Sequence, residues 1–553
     1  MRVDTERGFV ERLWPERVDR LHADPRWLRA NANRPGRDVH TVRVSDGFGA
    51  VSALAYVHRT AGASEAYDLH GLLLGDPPVF QWSAEGEKRL RALLEGGGNL
   101  PAALLPAVTV VLPGYDAGWV AGGRWTAAHL NAMIGAVAAL AAENAATTCA
   151  FLYVPREDGE LTAALRRASF LPVALTARAC LPVRWSTLSG YTDSFSRHRR
   201  HKLRNELVRL RRLGVRSWRA DPRRSLDTMV RLRCAHVRKF GREPDEGAER
   251  RRLAQVLDNF PERDFGLVLT GRGDLAASCA LFLRHGVQLH LVLAATDPAA
   301  ELPYAHYESA FYAPIRLGLT PAGAEVDYGI SHLEHKVLRG CVAAPLDAWV
   351  RVAGERAGGT LRSLSELSLA HRVEAMPTLT SPLDIVRAAG VDFVTGVPDS
   401  ELATLVAELE RGPELGQTGV SYLPATREDN AVALAAGATL GGATALVFMK
   451  SMGLGTAVDA ITSLVKVYEL PLVLYVSWVG YRGRDVPHHN VLGEVLEPTL
   501  AGLGIPSVRH TIGRPAEMLA AVRRAVALAR RGPGPVAVLA VPAQLREAAG
   551  DAP

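Results

Sequence analysis

The sequence predicts a multidomain α/β protein, in which two α+β modules in tandem precede a doubly wound parallel α/β unit. Three observations predict it. The chain has 553 residues, 48% of them hydrophobic and 22% charged, too long for one core and too apolar for disorder. At about 100–200 residues per domain this makes roughly three to four compact units. Beyond residue 380, short continuous apolar runs alternate with helical stretches, as in parallel strands covered on both faces. Before residue 352, strand signals follow one another directly, as in antiparallel sheets.

The first module is assigned to 1–184. Its clearest elements are helix Ala127–Glu143, strand Cys149–Val154, helix Leu161–Ala168 and strand Val173–Leu181. The second module, 185–352, contains the stretch Arg197–Arg219, with ten basic residues and one acid, Glu206. Leu203, Leu207, Leu210 and Leu213 recur there at helical spacing, which gives an amphipathic helix with a dense cationic face. Strands Phe265–Thr270, Ala276–Arg284 and Gln288–Ala294 come next, with a turn at His285–Gly286, then helix Tyr304–Leu317 and strand Glu325–Tyr328. Residues 353–378 read as a linker, because Gly354, Gly358 and Gly359 open a Ser/Thr-rich stretch without a sustained apolar period. A short helix over Leu361–His371 is compatible with it.

The last domain, 379–553, is regular. Helix Pro382–Ala389, strand Phe393–Val397, helix Ser400–Glu410, strand Val420–Thr426 and helix Arg427–Leu440 lead to strand Ala445–Lys450. Helix Thr456–Tyr468, strand Leu472–Trp478, helix Leu492–Leu503, a strand around Val508, helix Ala516–Arg531 and strand Val536–Val541 complete it. Sites in such sheets lie at the carboxyl ends of the strands. That rule selects the loops after Val397, Thr426, Lys450 and Trp478.

Composition narrows the function classes. The charged N-terminal stretch MRVDTERGFVERLW excludes a secretory h-region. The longest apolar helical run, Ala132–Ala142, is well short of the roughly 20 residues that span a bilayer. Five scattered cysteines without a CxxC pair argue against a disulfide framework or a zinc site, and no metal-ligating set is legible; a reducing cytoplasm is the expected location. The net charge of +6 is uneven: residues 1–352 hold 47 Lys and Arg against 38 Asp and Glu, and residues 353–553 hold 17 against 20. Two units with different partners are expected.

Four loop motifs fall on successive strand ends: GVPDS (396–400), TREDNAVALAAG (426–437), KSMGLGTAVDAITSL (450–464) and GYRGRDVPHHN (480–490). Glu428 begins a helix, where an acid is favoured by the helix dipole whatever its role. Gly453, Leu454 and Gly455 either cradle an anion or permit a tight turn. His488 and His489 are either surface imidazoles or proton shuttles. Together the motifs closely resemble the pyrimidine-binding (alpha) subunits of thiamine-diphosphate-dependent decarboxylases, nearest to those acting on phosphonopyruvate and sulfopyruvate, over roughly 379–542.

The resemblance implies a chemistry. Glu428 would contact N1′ of the cofactor's aminopyrimidine and stabilise its imino tautomer, and His489, assisted by His488, would lie near the reacting carbon. Pro398, Asp399, Gly453, Leu454 and Gly455 become cofactor-binding candidates. Ser400, Arg482, Arg484, Lys450 and Arg427 become candidates for holding the substrate, with arginine suited to a phosphonate or sulfonate. The product of the implied reaction is an aldehyde and CO2, or a carboligation product if the carbon that loses CO2 joins a second carbonyl. The family binds diphosphate and Mg2+ through a second domain with a Gly-Asp-Gly motif, which this sequence lacks. A separate beta-type subunit is therefore expected, in an oligomer, because Mg2+ needs oxygen ligands. The family's usual Gln-His pair is His488–His489 here, a departure that bears on the substrate.

The front half, through SFSRHRRHKLRNELVRLRRLG, YAHYESAFYAPIRLGL and DYGISHLEHKVLRG, resembles tandem GNAT-type N-acyltransferases of the Fem-like and polysaccharide-associated kind. The resemblance implies an acyl donor such as acyl-CoA, although the usual RxxGxG/A loop is not evident, and makes Tyr328, His332, His335 and Lys336 candidate substrate contacts. The basic helix suits the phosphates of tRNA or coenzyme A, or a phospholipid surface, but also an ordinary solvated face. A bifunctional fusion is the leading expectation. The alternative outside catalysis is a scaffold or tRNA-binding protein with one degenerate half.

Overall fold

The computed structural model describes residues 1–33, 38–60, 67, 69–74, 84–96, 100–156, 158–195, 197–273, 275–330, 332–375, 382–411, 420–483 and 485–542. The chain divides into two units. One comprises Met1–Gln81, Asn99–Arg156 and Ala168–Gly358, and the other Trp82–Gly98, Glu157–Arg167 and Gly359–Pro553. Among the described residues, no helix is long and apolar enough to cross a membrane.

The first unit is built on one 14-stranded sheet. The consecutive strands Phe265–Arg272, Leu275–His285 and Gln288–Thr296 are antiparallel, as their spacing predicts. Gln288–Thr296 then pairs in parallel with Glu325–Asp327, which pairs antiparallel with Leu171–Pro182. The expected modules thus share a sheet. Strand Val342–Val352 lies between Thr148–Pro155 and Leu171–Pro182, antiparallel to both, so the end of the second stretch completes the sheet of the first. Its buried run Leu346–Val350 gains a strand on each side in this position.

Two local departures have physical causes. The helix expected over Tyr304–Leu317 is helical over Ala305–Tyr307 and Ala313–Arg316, with a wider π turn over Glu308–Tyr312. Pro314 cannot donate to the carbonyl of Ala310, four residues back, and that carbonyl accepts the Tyr328 hydroxyl at 2.8 Å instead. The segment expected to be a linker is a helix over Glu355–Ala375. Its buried stripe includes Ala357, Leu361 and Leu364, but also Thr360, Ser368, His371 and Arg372. Polar residues at stripe positions hide the apolar period on which the sequence reading relies.

The second unit holds a six-stranded, fully parallel sheet. Its strands are β1 (Phe393–Gly396), β2 (Ser421–Pro424), β3 (Ala445–Lys450), β4 (Val473–Ser477), β5 (Ser507–Thr511) and β6 (Val536–Val541), in the order β2-β1-β3-β4-β6-β5. Successive residues face opposite sides, and each side carries its own core. Leu446, Phe448, Val473, Tyr475, Val536 and Val538 pack with Val386, Leu405 and Val522 on one face. Val447, Met449, Leu474, Val476 and Leu539 pack with Val432, Ala457 and Leu496 on the other. Each fully buried aliphatic side chain contributes about 1.5–3 kcal/mol relative to exposure. The chain leaves β1 to one side for β2 and returns to the other for β3, which places the topological switch point between β1 and β3.

Candidate functional site

All four loops selected from the sequence leave the carboxyl edge of the parallel sheet, where the β1/β3 switch point opens. Asp399, Ser400 and Lys450 meet there. Asp399 caps the following 3-10 turn by accepting from the Glu401 N–H at 3.1 Å, and its other oxygen accepts from the Ser477 hydroxyl at the end of β4. Lys450 Nζ lies 3.5 Å from Asp399 Oδ1 and donates to Ser400 Oγ at 3.3 Å. The Asp399 side chain is 1% exposed and that of Lys450 is 32% exposed, so the carboxylate is fixed inside while the ammonium keeps an open side. Pro398 is exposed at this turn. Ser477 was not among the sequence candidates; an apolar strand gave it no signal beyond its terminal position.

Glu428 opens the helix Glu428–Leu440, half-buried, directly after β2. Its carboxyl lies over Gly453, the first residue of the helix Gly453–Ala460. A Cβ at Gly453 would stand 2.6 Å from Glu428 Cγ and Oε1. The Gly-Leu-Gly triplet is therefore neither a tight turn nor a loop. It is the first helical turn, and Gly453 is glycine so that a carboxyl group can approach its backbone. Leu454 is a core side chain, 2% exposed, packed in the cluster that contains Val432 and Ala435. Gly455 is exposed, with nothing near a Cβ built on it. For Leu454 the sequence expectation of cofactor contact gives way to packing.

The last loop carries the imidazoles. His488 and His489 lie in the first turn of the helix Pro487–Gly502, with ring centroids 4.4 Å apart. His489 Nδ1 is 3.0 Å from Asp485 Oδ2. The N–H groups of Val486 and Gly480 hold the Asp485 carboxyl below the usual carboxylate range. The contact is at ion-pair distance without the alignment of a hydrogen bond, and it is Nδ1, not Nε2, that faces the carboxylate.

The basic candidates separate. Arg427 is exposed and binds the carboxylate of Asp429 through both Nε and Nη2, at 3.1 and 3.0 Å. Arg482 is exposed with a left-handed φ of 56°, its guanidinium 5.3 Å from the Tyr481 ring centre. Arg484 lies outside the described residues. Lys450 is the cation that stands at the switch point itself.

In the first unit the four acyltransferase candidates do not form one surface. Tyr328 is 5% exposed and stacked on Phe311 at 4.2 Å, so it is a core residue and not a substrate contact. Lys336 is also buried, its ammonium donating to the carbonyls of Tyr328 and Gly329 at 2.6 and 3.1 Å, and burial pushes its pKa down to about 8. His332 and His335 are exposed, and His332 is held below the ordinary imidazole range by partial burial and by Lys336 and His335 nearby. The basic helix spans Arg197–Arg212, with Leu203 and Leu210 buried. Its lone acid, Glu206, receives Arg339 through both carboxylate oxygens at 2.9 and 2.7 Å. That pair tethers the helix to the core.

No family model matches the chain. The sulfopyruvate decarboxylase subunit alpha of Methanococcus maripaludis is 33% identical over 118 residues, 21% of this chain and 68% of that protein. The chain belongs to the sulfopyruvate decarboxylase alpha-subunit family. Phosphonopyruvate decarboxylase of Streptomyces viridochromogenes is 36% identical over 107 residues, which cover 19% of this chain and 26% of that protein. Among solved structures, the crystal structure of FemX aligns with 62% of this chain and 94% of its own, at 12% identity and a TM-score of 0.38. The alpha-subunit family match accounts for about a fifth of the chain, and the rest is additional to it.

Proposed function

We propose that the second unit is the pyrimidine-binding chain of a thiamine-diphosphate-dependent decarboxylase of 3-sulfopyruvate, 3-phosphonopyruvate or a related 2-oxo acid. The observation that carries this reading is the Glu428 carboxyl, held over Gly453 at the carboxyl edge of a parallel sheet. The donor set fits the pyrimidine end of the cofactor. The carboxyl is half-buried at a helix start, and a glycine leaves it the room a Cβ would fill. When bound, the cofactor supplies a thiazolium ring that accepts the electron pair released with CO2.

Each residue of this chain then has a task. Glu428 holds a proton against the pyrimidine N1′. Asp399, fixed by Ser477 and the Glu401 N–H, sets the position of Lys450. The Lys450 ammonium and the Ser400 hydroxyl receive an anionic oxygen of the substrate. His489, paired with Asp485 at Nδ1, returns a proton from Nε2 to the product carbon. Diphosphate and Mg2+ fall to a separate beta-type chain. This sequence has no Gly-Asp-Gly motif, and no cluster of metal-ligating side chains gathers in the second unit among the described residues. The catalytic assembly is a hetero-oligomer.

The first unit is an N-acyltransferase in the same reading, supported by its mixed sheet and by the motif resemblance. Its acyl group comes from a thioester or ester donor. The test of the whole is reconstitution. The full chain, purified with a chain that carries Gly-Asp-Gly, is supplied with thiamine diphosphate, Mg2+ and 3-sulfopyruvate or 3-phosphonopyruvate. Aldehyde and CO2 form with both chains present and with neither chain alone. Turnover by this chain alone would overturn the two-chain reading, and a purely ligated product, formed with CO2 but without free aldehyde, would replace aldehyde release with carboligation.

A further inference from the structure

We infer that the first unit carries a divalent transition-metal site formed by His22, His290 and Asp327. One ligand atom from each lies within 4.8 Å of the others, and all three residues are buried. His290 and Asp327 are direct partners in the parallel pairing of Gln288–Thr296 with Glu325–Asp327, so their side chains emerge on one face. His22 comes from the turn Leu21–Ala23, its ring centroid 5.5 Å from that of His290.

One feature marks the place as open to a ligand, and a second fixes the ring of a neighbouring ligand residue. His290 is 5% exposed, yet neither of its ring nitrogens makes a hydrogen bond; Nδ1 lies 3.4 Å from Asp327 Oδ2 without the alignment of one. A buried polar group without a partner is costly and rare, and a metal would satisfy it. Gly114, at φ +120°, packs against His22 so closely that any Cβ there would overlap the imidazole. The backbone is shaped around this ring.

The surroundings orient the third ligand. Asp327 Oδ1 accepts from the Gly329 N–H at 2.7 Å and Oδ2 from Arg178 Nη1 at 2.8 Å. A carboxylate oxygen has lone pairs enough for a guanidinium and a metal together, and such outer contacts fix metal ligands in place. Arg178 also lies 3.8 Å from Asp116, which pairs with Arg20 at 3.0 Å. Two carboxylates and two guanidiniums balance, so a bound dication leaves a positive site. Its open coordination positions, next to Arg178, suit an anionic oxygen ligand. Two imidazoles and one carboxylate favour zinc, iron, cobalt or nickel over magnesium. The sequence reading found no metal set because the ligands stand at 22, 290 and 327, without local spacing.

The test uses the full chain stripped with a chelator and titrated with Zn2+ and with Co2+. One equivalent binds, Co2+ develops visible d–d absorption, and the melting temperature rises. His290→Ala binds none while still unfolding cooperatively, and a double variant, His488→Ala with His489→Ala, keeps the equivalent. X-ray absorption of the wild-type zinc form shows imidazole nitrogen and carboxylate oxygen without sulfur, a readout that needs no variant to fold. No stoichiometric binding by the wild type, binding unchanged in His290→Ala, loss in the double variant, or a shell lacking imidazole each overturns the inference.

Discussion

Alanine at position 453 separates folding from function in the second unit. The added Cβ would stand 2.6 Å from Glu428 Cγ and Oε1, against roughly 3.5–4.0 Å for ordinary carbon contact. About 1 Å of movement is required. The flexible glutamate side chain gives way before either helix backbone does. Gly453 begins a helix and has no positive φ, so the exchange meets no backbone strain and gains at most about 0.5–1 kcal/mol, the figure for a helix interior. Stability therefore holds or rises. Activity does not, because a displacement of about 1 Å in a catalytic group can cost roughly 100-fold. Turnover of the reconstituted complex and thermal melting of the same samples read the two effects. Gly437→Ala is the control: it lies in the helix Glu428–Leu440 with nothing near its Cβ, and gains stability without losing turnover. Wild-type turnover in Gly453→Ala would refute the placement of the Glu428 carboxyl as the working group.

Two further outcomes concern the first unit. Burial, with His236 and other cationic groups nearby, pushes His306 down to about 4, and its Nδ1 has no hydrogen-bond partner. The unfolded chain takes up that proton near 6.5, so stability is complete above this pH and falls as pH drops towards 4, by up to roughly 3 kcal/mol; melts between pH 7.5 and 4.5 should show this slope, shallower in His306→Asn. Glu206→Gln leaves Arg339, only 3% exposed, without its bidentate partner. A loss of about 3–5 kcal/mol in urea unfolding is expected, and an unchanged midpoint would show the pair to be dispensable.

The parallel sheet was legible because its strands are uninterrupted apolar runs: Ala445–Lys450 and Val536–Val541 fall where the sequence puts them. The sequence places the start of the helix after β3 at Thr456, because Gly453 and Gly455 suit an anion cradle or a tight turn, but the helix starts at Gly453. Only the packing of Glu428 explains that glycine, and packing between two helices leaves no trace in the spacing of either. The long helix Glu355–Ala375 was hidden for the opposite reason, its buried stripe being partly polar. In the first unit the helices and hairpins follow from local pattern. The insertion of Val342–Val352 between two much earlier strands does not, because strand order depends on contacts far apart in sequence. The same distance concealed the Asp327 cluster, while Tyr328, next to it in the chain and a candidate through the acyltransferase resemblance, has a hydroxyl that donates to the carbonyl left over by Pro314.

The central claim rests on the charge of one side chain. Glu428→Gln keeps the shape of the glutamate and removes its ability to ionise, and the reconstituted complex can be assayed for CO2 release from 3-sulfopyruvate or 3-phosphonopyruvate. The account predicts a drop of about 100- to 10,000-fold in turnover, with the complex still assembled and its melting temperature little changed. Turnover equal to the wild type would contradict it.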